Sequence, residues 1–84
     1  MDKKAKVRET VQRNINWLIE HRENGVPAEF ARKVGAYSQK VNNWRQGNNM
    51  PDLATVETIA NTYRISLDWF IGGDITKAPP DYEK

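Results

Sequence analysis

Apolar side chains recur at Val7, Val11, Ile15, Leu18 and Ile19, at spacings of four, four, three and one. They share one side of a helix that Asn24-Gly25 is expected to end. Trp17 falls off this stripe and is expected at the helix edge, partly exposed unless another element covers it. Pro27 suits a first helical position, Phe30, Ala31 and Val34 supply one apolar face, and Gly35 can stop the chain, so the second helix runs about two turns. Gly35-Ala36-Tyr37 separates it from a third helix, Ser38 to Gln46, whose apolar members Val41 and Trp44 lie three apart and whose end is marked by Gly47. After the loop Asn48-Asn49-Met50-Pro51, Asp52 is an N-cap for a fourth helix with Leu53, Val56, Ile59, Ala60 and Tyr63 on one face. Ser66 caps a last short helix through Leu67, Trp69, Phe70 and Ile71, which Gly72-Gly73 terminates. No segment alternates with period two. The pattern predicts an all-α, compact five-helix domain over residues 5–75 and a flexible C-terminal tail over 76–84, where Pro79-Pro80 opposes helix.

Two short helices joined by a three-residue, glycine-containing connection have the sequence form of a helix-turn-helix, although an ordinary helical hairpin shares it. The outer face of the third helix separates the two readings. With Val41 and Trp44 turned inward, Gln39, Asn42, Asn43 and Gln46 fall at i, i+3, i+4 and i+7, a stripe of four carboxamides. Solvated helix faces are usually built of Glu and Lys, which favour the helix more than Asn does. A carboxamide carries a donor and an acceptor in one plane, which matches N6 and N7 of adenine in the major groove. Lys40, Arg45, Lys33 and Arg32 flank that face and are candidates for phosphate neutralisation. Arg45 has an alternative partner in a first-helix carboxylate such as Glu20.

Composition narrows the chemistry further. There is no Cys, and His21 is the lone His, which removes disulfides, thiol nucleophiles and imidazole metal clusters. His21 stands among Glu20, Arg22 and Glu23, which read as a helix surface, so no catalytic base, metal or cofactor is expected and the chain is not read as an enzyme. The net charge of +2 and pI of about 9.0 suit a polyanionic partner without demanding one. No apolar run is long enough for a membrane span or a secretory signal, and a cytoplasmic location is expected. Trp69, Phe70, Ile71 and Ile75 form an apolar excess near the end of the chain. A short helix can bury one or two of them, so a symmetric dimer contact is expected from the remainder.

The run PAEFARKVGAYSQKVNNWRQG, followed by MPDLATVETIA and ISLDWFIGG, resembles the lambda repressor and Cro-like (XRE-type) DNA-binding domains over roughly residues 8–74. The resemblance implies sequence-specific binding of double-stranded DNA, with a homodimer on a pseudo-palindromic operator. It implies base contacts from Tyr37, Ser38, Gln39, Asn42 and Asn43. Phosphate contacts are implied from the start of the second helix, at Ala28, and from the loop residues Asn48 and Asn49, beside Lys40 and Arg45. Three positions depart from the family pattern. Val26-Pro27 replaces a side-chain phosphate clamp with backbone N–H groups alone. Tyr37 stands where a small hydroxyl residue commonly caps the third helix, so either Ser38 takes over the cap or Tyr37 lies against the DNA. Arg64 occupies a position expected to need positive φ. The expected function is a transcriptional regulator, a repressor acting by operator occlusion. The rival is a protein-interaction module, antitoxin- or anti-repressor-like, with weak DNA binding and a heteromeric protein partner.

Overall fold

The computed structural model, which describes residues 3–73 and residue 75, contains five helices: α1 (Lys3–Arg22), α2 (Pro27–Val34), α3 (Ser38–Gln46), α4 (Leu53–Thr62) and α5 (Leu67–Gly72). No strand occurs among the described residues, and the expected tail over 76–84 lies outside them. The predicted stripe of α1 forms the centre of the molecule: Val11, Ile15, Leu18 and Ile19 are all buried. Phe30, Ala31 and Val34 of α2, Val41 and Trp44 of α3, and Val56, Ile59 and Ala60 of α4 close over it. Each such large side chain removed from water contributes roughly 1.5–3 kcal/mol before chain entropy is counted. Trp17 is half-buried at the edge of α1, with His21 stacked on it at 4.7 Å between ring centroids.

Three helices end in the same way. A residue in the left-handed region follows the last turn, and the next N–H bonds a carbonyl five residues back. Gly35 (φ 72°) permits Ala36 N–H to reach Ala31 O at 2.9 Å, and Gly47 (φ 79°) permits Asn48 N–H to reach Asn43 O at 3.0 Å. After α4 the left-handed residue is Arg64 (φ 59°), and Ile65 N–H reaches Ala60 O at 2.8 Å. The positive φ expected at Arg64 is therefore present. The left-handed turn at this position carries Ile65, one residue on, into the core.

Two polar residues are buried at the junctions between helices, and one of them, Glu23, was expected at the surface. Glu23, expected on a helix surface with Glu20 and Arg22, lies just past α1 and is only 6% exposed. Its Oε2 accepts hydrogen bonds from the Tyr63 hydroxyl at 2.6 Å and the Lys33 ammonium at 2.9 Å, so one carboxylate joins the ends of α1, α2 and α4. Burial pushes the Glu23 carboxyl up, but these two hydrogen bonds and the charges of Lys33 and Arg22 outweigh it and hold the carboxyl below its ordinary range. Burial, then the Glu23 hydrogen bond and charge, pushes the Tyr63 phenol up. Asn14, inside the apolar stripe of α1, is also buried. Its Nδ2 donates to Phe70 O at 2.7 Å and Gly73 O at 3.2 Å and so fixes α5 against α1.

Two apolar expectations are corrected. Phe70 and Ile75, expected in a dimer contact with Trp69 and Ile71, are fully enclosed in this core, while Trp69 and Ile71 are half-buried. Phe70 is drawn in because its backbone carbonyl is bound by Asn14, which seats that side of α5 on α1. Leu53, expected on the inner face of α4, is 71% exposed. It occupies the first helical position of α4, and the buried face begins one turn later at Val56.

Arg64→Gly removes the left-handed strain, and the variant is expected to gain up to about 1 kcal/mol. Thermal unfolding should show this as a rise in Tm of several degrees for a domain of this size. Glu23→Gln is expected to lose about 1–3 kcal/mol at neutral pH, as when a charged hydrogen-bond acceptor is neutralised. Because the folded-state carboxyl is depressed, its contribution is complete above the ordinary value of 4.5 and is lost as the pH falls through the lower folded value. Urea midpoints of Glu23→Gln and the parent should therefore converge in acid; a gap that stays constant to low pH would exclude the ionised Glu23 pairing.

Candidate nucleic-acid interface

α3 is held from behind by two kinds of contact. Val41 and Trp44 are buried, and the last turn is tied to α1 through its own backbone: Gln12 Nε2 donates to Arg45 O at 2.9 Å, and Asn16 Nδ2 reaches the same oxygen at 3.4 Å. These donors satisfy a carbonyl that the helix end would otherwise leave open. The Arg45 side chain is likewise engaged, with Nε 2.6 Å from Asn16 Oδ1 and Nη2 3.3 Å from Glu20 Oε2. The pairing with Glu20 that the sequence left open is present.

On the opposite side Ser38, Gln39, Lys40 and Asn42 are exposed and Asn43 is half-buried. Among the described residues, the carboxamides of Gln39, Asn42 and Asn43 take part in no hydrogen bond. Those of Gln12, Asn14 and Asn16 on α1 all donate to backbone carbonyls, and Asn16 also accepts from Arg45. The same functional group is thus engaged on α1 and unengaged on α3. Gln46 belongs to neither set, since its Oε1 accepts from Asn48 Nδ2 at 3.1 Å.

The helix starts divide similarly. Asp52 accepts from Thr55 N–H at 2.9 Å and Ser66 from Trp69 N–H at 3.1 Å, so α4 and α5 are capped by side chains. Hydrogen bonds from Thr55, side chain first and then backbone, hold the Asp52 carboxyl below its usual range, helped by the charge of Lys40. Val26 and Tyr37, the N-cap residues of α2 and α3, provide no side-chain bond. Ser38 is the first helical residue and does not replace Tyr37 as cap. Tyr37 itself stands 78% exposed. Ala28, in the first turn of α2, is exposed beside an uncapped end.

The flanking cations are mostly engaged. Arg32 lies 2.6 Å from Glu29 on the surface, and that bond together with the Glu29 charge pushes its guanidinium pKa up. Lys33 is committed to Glu23, whereas Lys40 forms no ion pair among the described residues. Lys40 and Asn49 line one shallow groove with Trp44, Met50, Pro51, Asp52 and Thr55. Asn42 and Arg45 line another, between α3 and α1, with Asn16 and Gln46. Asn48 and Asn49 are exposed in the intervening loop. The apolar surface missed by sequence reasoning is Val26, Met50 and Leu53, which with Tyr37 lie at or near the starts of α2, α3 and α4.

The engaged amides of α1 were partly visible in the sequence. Asn14 interrupts an apolar stripe, and a polar residue so placed must find a buried partner. Gln12 and Asn16 sit on a polar flank, and nothing local distinguishes them from solvated residues. Among the described residues no three His, Cys, Asp or Glu side chains are grouped to hold a metal, and no helix is long and apolar enough to cross a membrane. In comparisons with known proteins, the chain matches no family model, and neither the curated proteins nor the solved structures give a significant match.

Proposed function

We propose that this chain is a helix-turn-helix regulator of the lambda repressor-like kind that binds double-stranded DNA in a sequence-specific manner, a repressor acting by operator occlusion. In this reading α2 buttresses α3, and α3 enters the major groove. The observation that carries it is the row of unused carboxamides at Gln39, Asn42 and Asn43, on a helix whose back is fixed by core packing and by α1. Donors and acceptors without internal partners, carried on a helix that is itself fixed, suit base-edge recognition. Tyr37 and Ser38 extend the row at the helix start. Lys40, the uncapped end of α2 at Ala28, and Asn48 and Asn49 supply backbone contacts that set register without reading sequence. A homodimer on a pseudo-palindromic site remains part of the proposal, with Trp69 and Ile71 the members of the expected contact that retain accessible surface.

A second reading, a module that binds another protein, is favoured by one observation: Tyr37, Met50 and Leu53 expose apolar surface beside the same helix. Salt dependence separates the two, because phosphate contacts release counterions and apolar contacts do not.

Selection of bound sequences from a random duplex pool is expected to return a preferred site. Gln39→Ala and Asn43→Ala should each weaken binding to that site by about 1–3 kcal/mol and relax the preference at one or two base pairs, with helical content unchanged. Retention of both site and affinity by the two variants would remove the reading face assigned here. Lys40→Gln should weaken all duplexes alike and lower the slope of log K against log salt by about 1, measurable by fluorescence anisotropy across a salt series.

A further inference from the structure

Arg45 is mounted at the mouth of the cleft between α1 and α3 that Asn16, Asn42 and Gln46 also line. Its two side-chain contacts are unequal. The bond from Nε to Asn16 is short, at 2.6 Å, and partly buried, whereas the contact from Nη2 to Glu20 is longer, at 3.3 Å, and exposed. The Arg45 side chain is 26% accessible and that of Glu20 57%. Exposed ion pairs of this kind are worth little and exchange readily. A guanidinium has five N–H donors, of which these contacts use two, so Arg45 retains donors for a further acceptor while Asn16 keeps it in place. Gln12 and Asn16 also hold the Arg45 carbonyl, so the cation rides on a fixed backbone. Gln46, whose amide oxygen is occupied by Asn48, keeps its N–H groups for an anionic oxygen at the same cleft.

We propose that this cleft seats a phosphate of the DNA backbone on Arg45, and that Glu20 is a latch that competes with that phosphate for the guanidinium. This rests on the DNA-binding reading above and adds to it a residue that lowers affinity. Glu20 and a phosphate are like charges drawn to one cation, so binding must displace the carboxylate into solvent. Removing the Glu20 charge frees Arg45 in advance. Removing Arg45 leaves Glu20 nothing to compete for.

The test is a double-mutant cycle on the duplex chosen by selection, with parent, Glu20→Gln, Arg45→Gln and the double variant compared across a salt series. Glu20→Gln is expected to tighten binding about two- to fivefold. Arg45→Gln should weaken binding to all duplexes and lower the salt slope by about 0.9, and adding Glu20→Gln to it should change nothing. An equal tightening in both backgrounds overturns the latch, because Glu20 then repels phosphates without acting through Arg45. No tightening in either background overturns it as well. A parent that binds duplex with salt dependence while Glu20→Gln is neutral leaves the DNA reading intact and rejects the latch alone; a parent that binds no duplex rejects both. Should Arg45→Gln fail to fold, the carboxylate carbon signal of Glu20 in the isotope-labelled parent decides the matter. It is expected to move toward that of a free glutamate when duplex is added, and a signal unmoved at saturation rejects the proposal.

Discussion

Three side-chain amides on α1 determine where the outer helices sit. Gln12 and Asn16 grip the last turn of α3 through the Arg45 carbonyl, and Asn14 grips the end of α5 through the carbonyls of Phe70 and Gly73. Apolar packing alone is non-directional and would let short helices slide on α1, since a Val or a Trp fits several neighbouring registers. A buried carbonyl that loses its donor keeps its full desolvation penalty, so each amide bond selects one register. The face of α3 that carries the unused carboxamides is turned outward because Val41 and Trp44 pack inward and Gln12 and Asn16 of α1 hold the last turn from behind.

Glu23 performs the corresponding service at the other end of the bundle. A lone buried carboxylate would be strongly unfavourable, yet here a phenol and an ammonium from two different helices converge on one oxygen. The group draws α2 toward α1 and α4 and leaves the start of α2, at Val26 and Pro27, without side-chain obligations. Stability is thus concentrated on the inner and rear contacts. The uncapped starts of α2 and α3, the exposed Tyr37 and the free amides gather on elements that the interior already secures. Such a division is what a binding surface on a small domain requires, because groups reserved for a partner cannot also hold the fold.

Arg45 shows why a list of basic residues is a poor guide to which cations are open to an outside anion. By composition Arg32, Lys33, Lys40 and Arg45 are equivalent, yet Arg32 is paired on the surface, Lys33 is tied to a buried carboxylate, and Arg45 is divided between Asn16 and Glu20. Their availability to an outside anion differs with the cost of leaving those partners. An exposed pair costs little to break, and a buried one costs several times more.

The sequence by itself determined the number and order of helices, their ends at Gly35 and Gly47, the caps at Asp52 and Ser66, and most of the core of α1 to α4. These depend on the period of apolar positions and on the φ preferences of single residues, which act over one or two turns. Tertiary structure alone decided that Glu23 is interior, that Gln12 and Asn16 are clamps, that Leu53 faces water, and that Phe70 and Ile75 belong to the core and not to an outer face. The polar contacts among those outcomes join residues 10 to 56 positions apart, separations that no local pattern encodes.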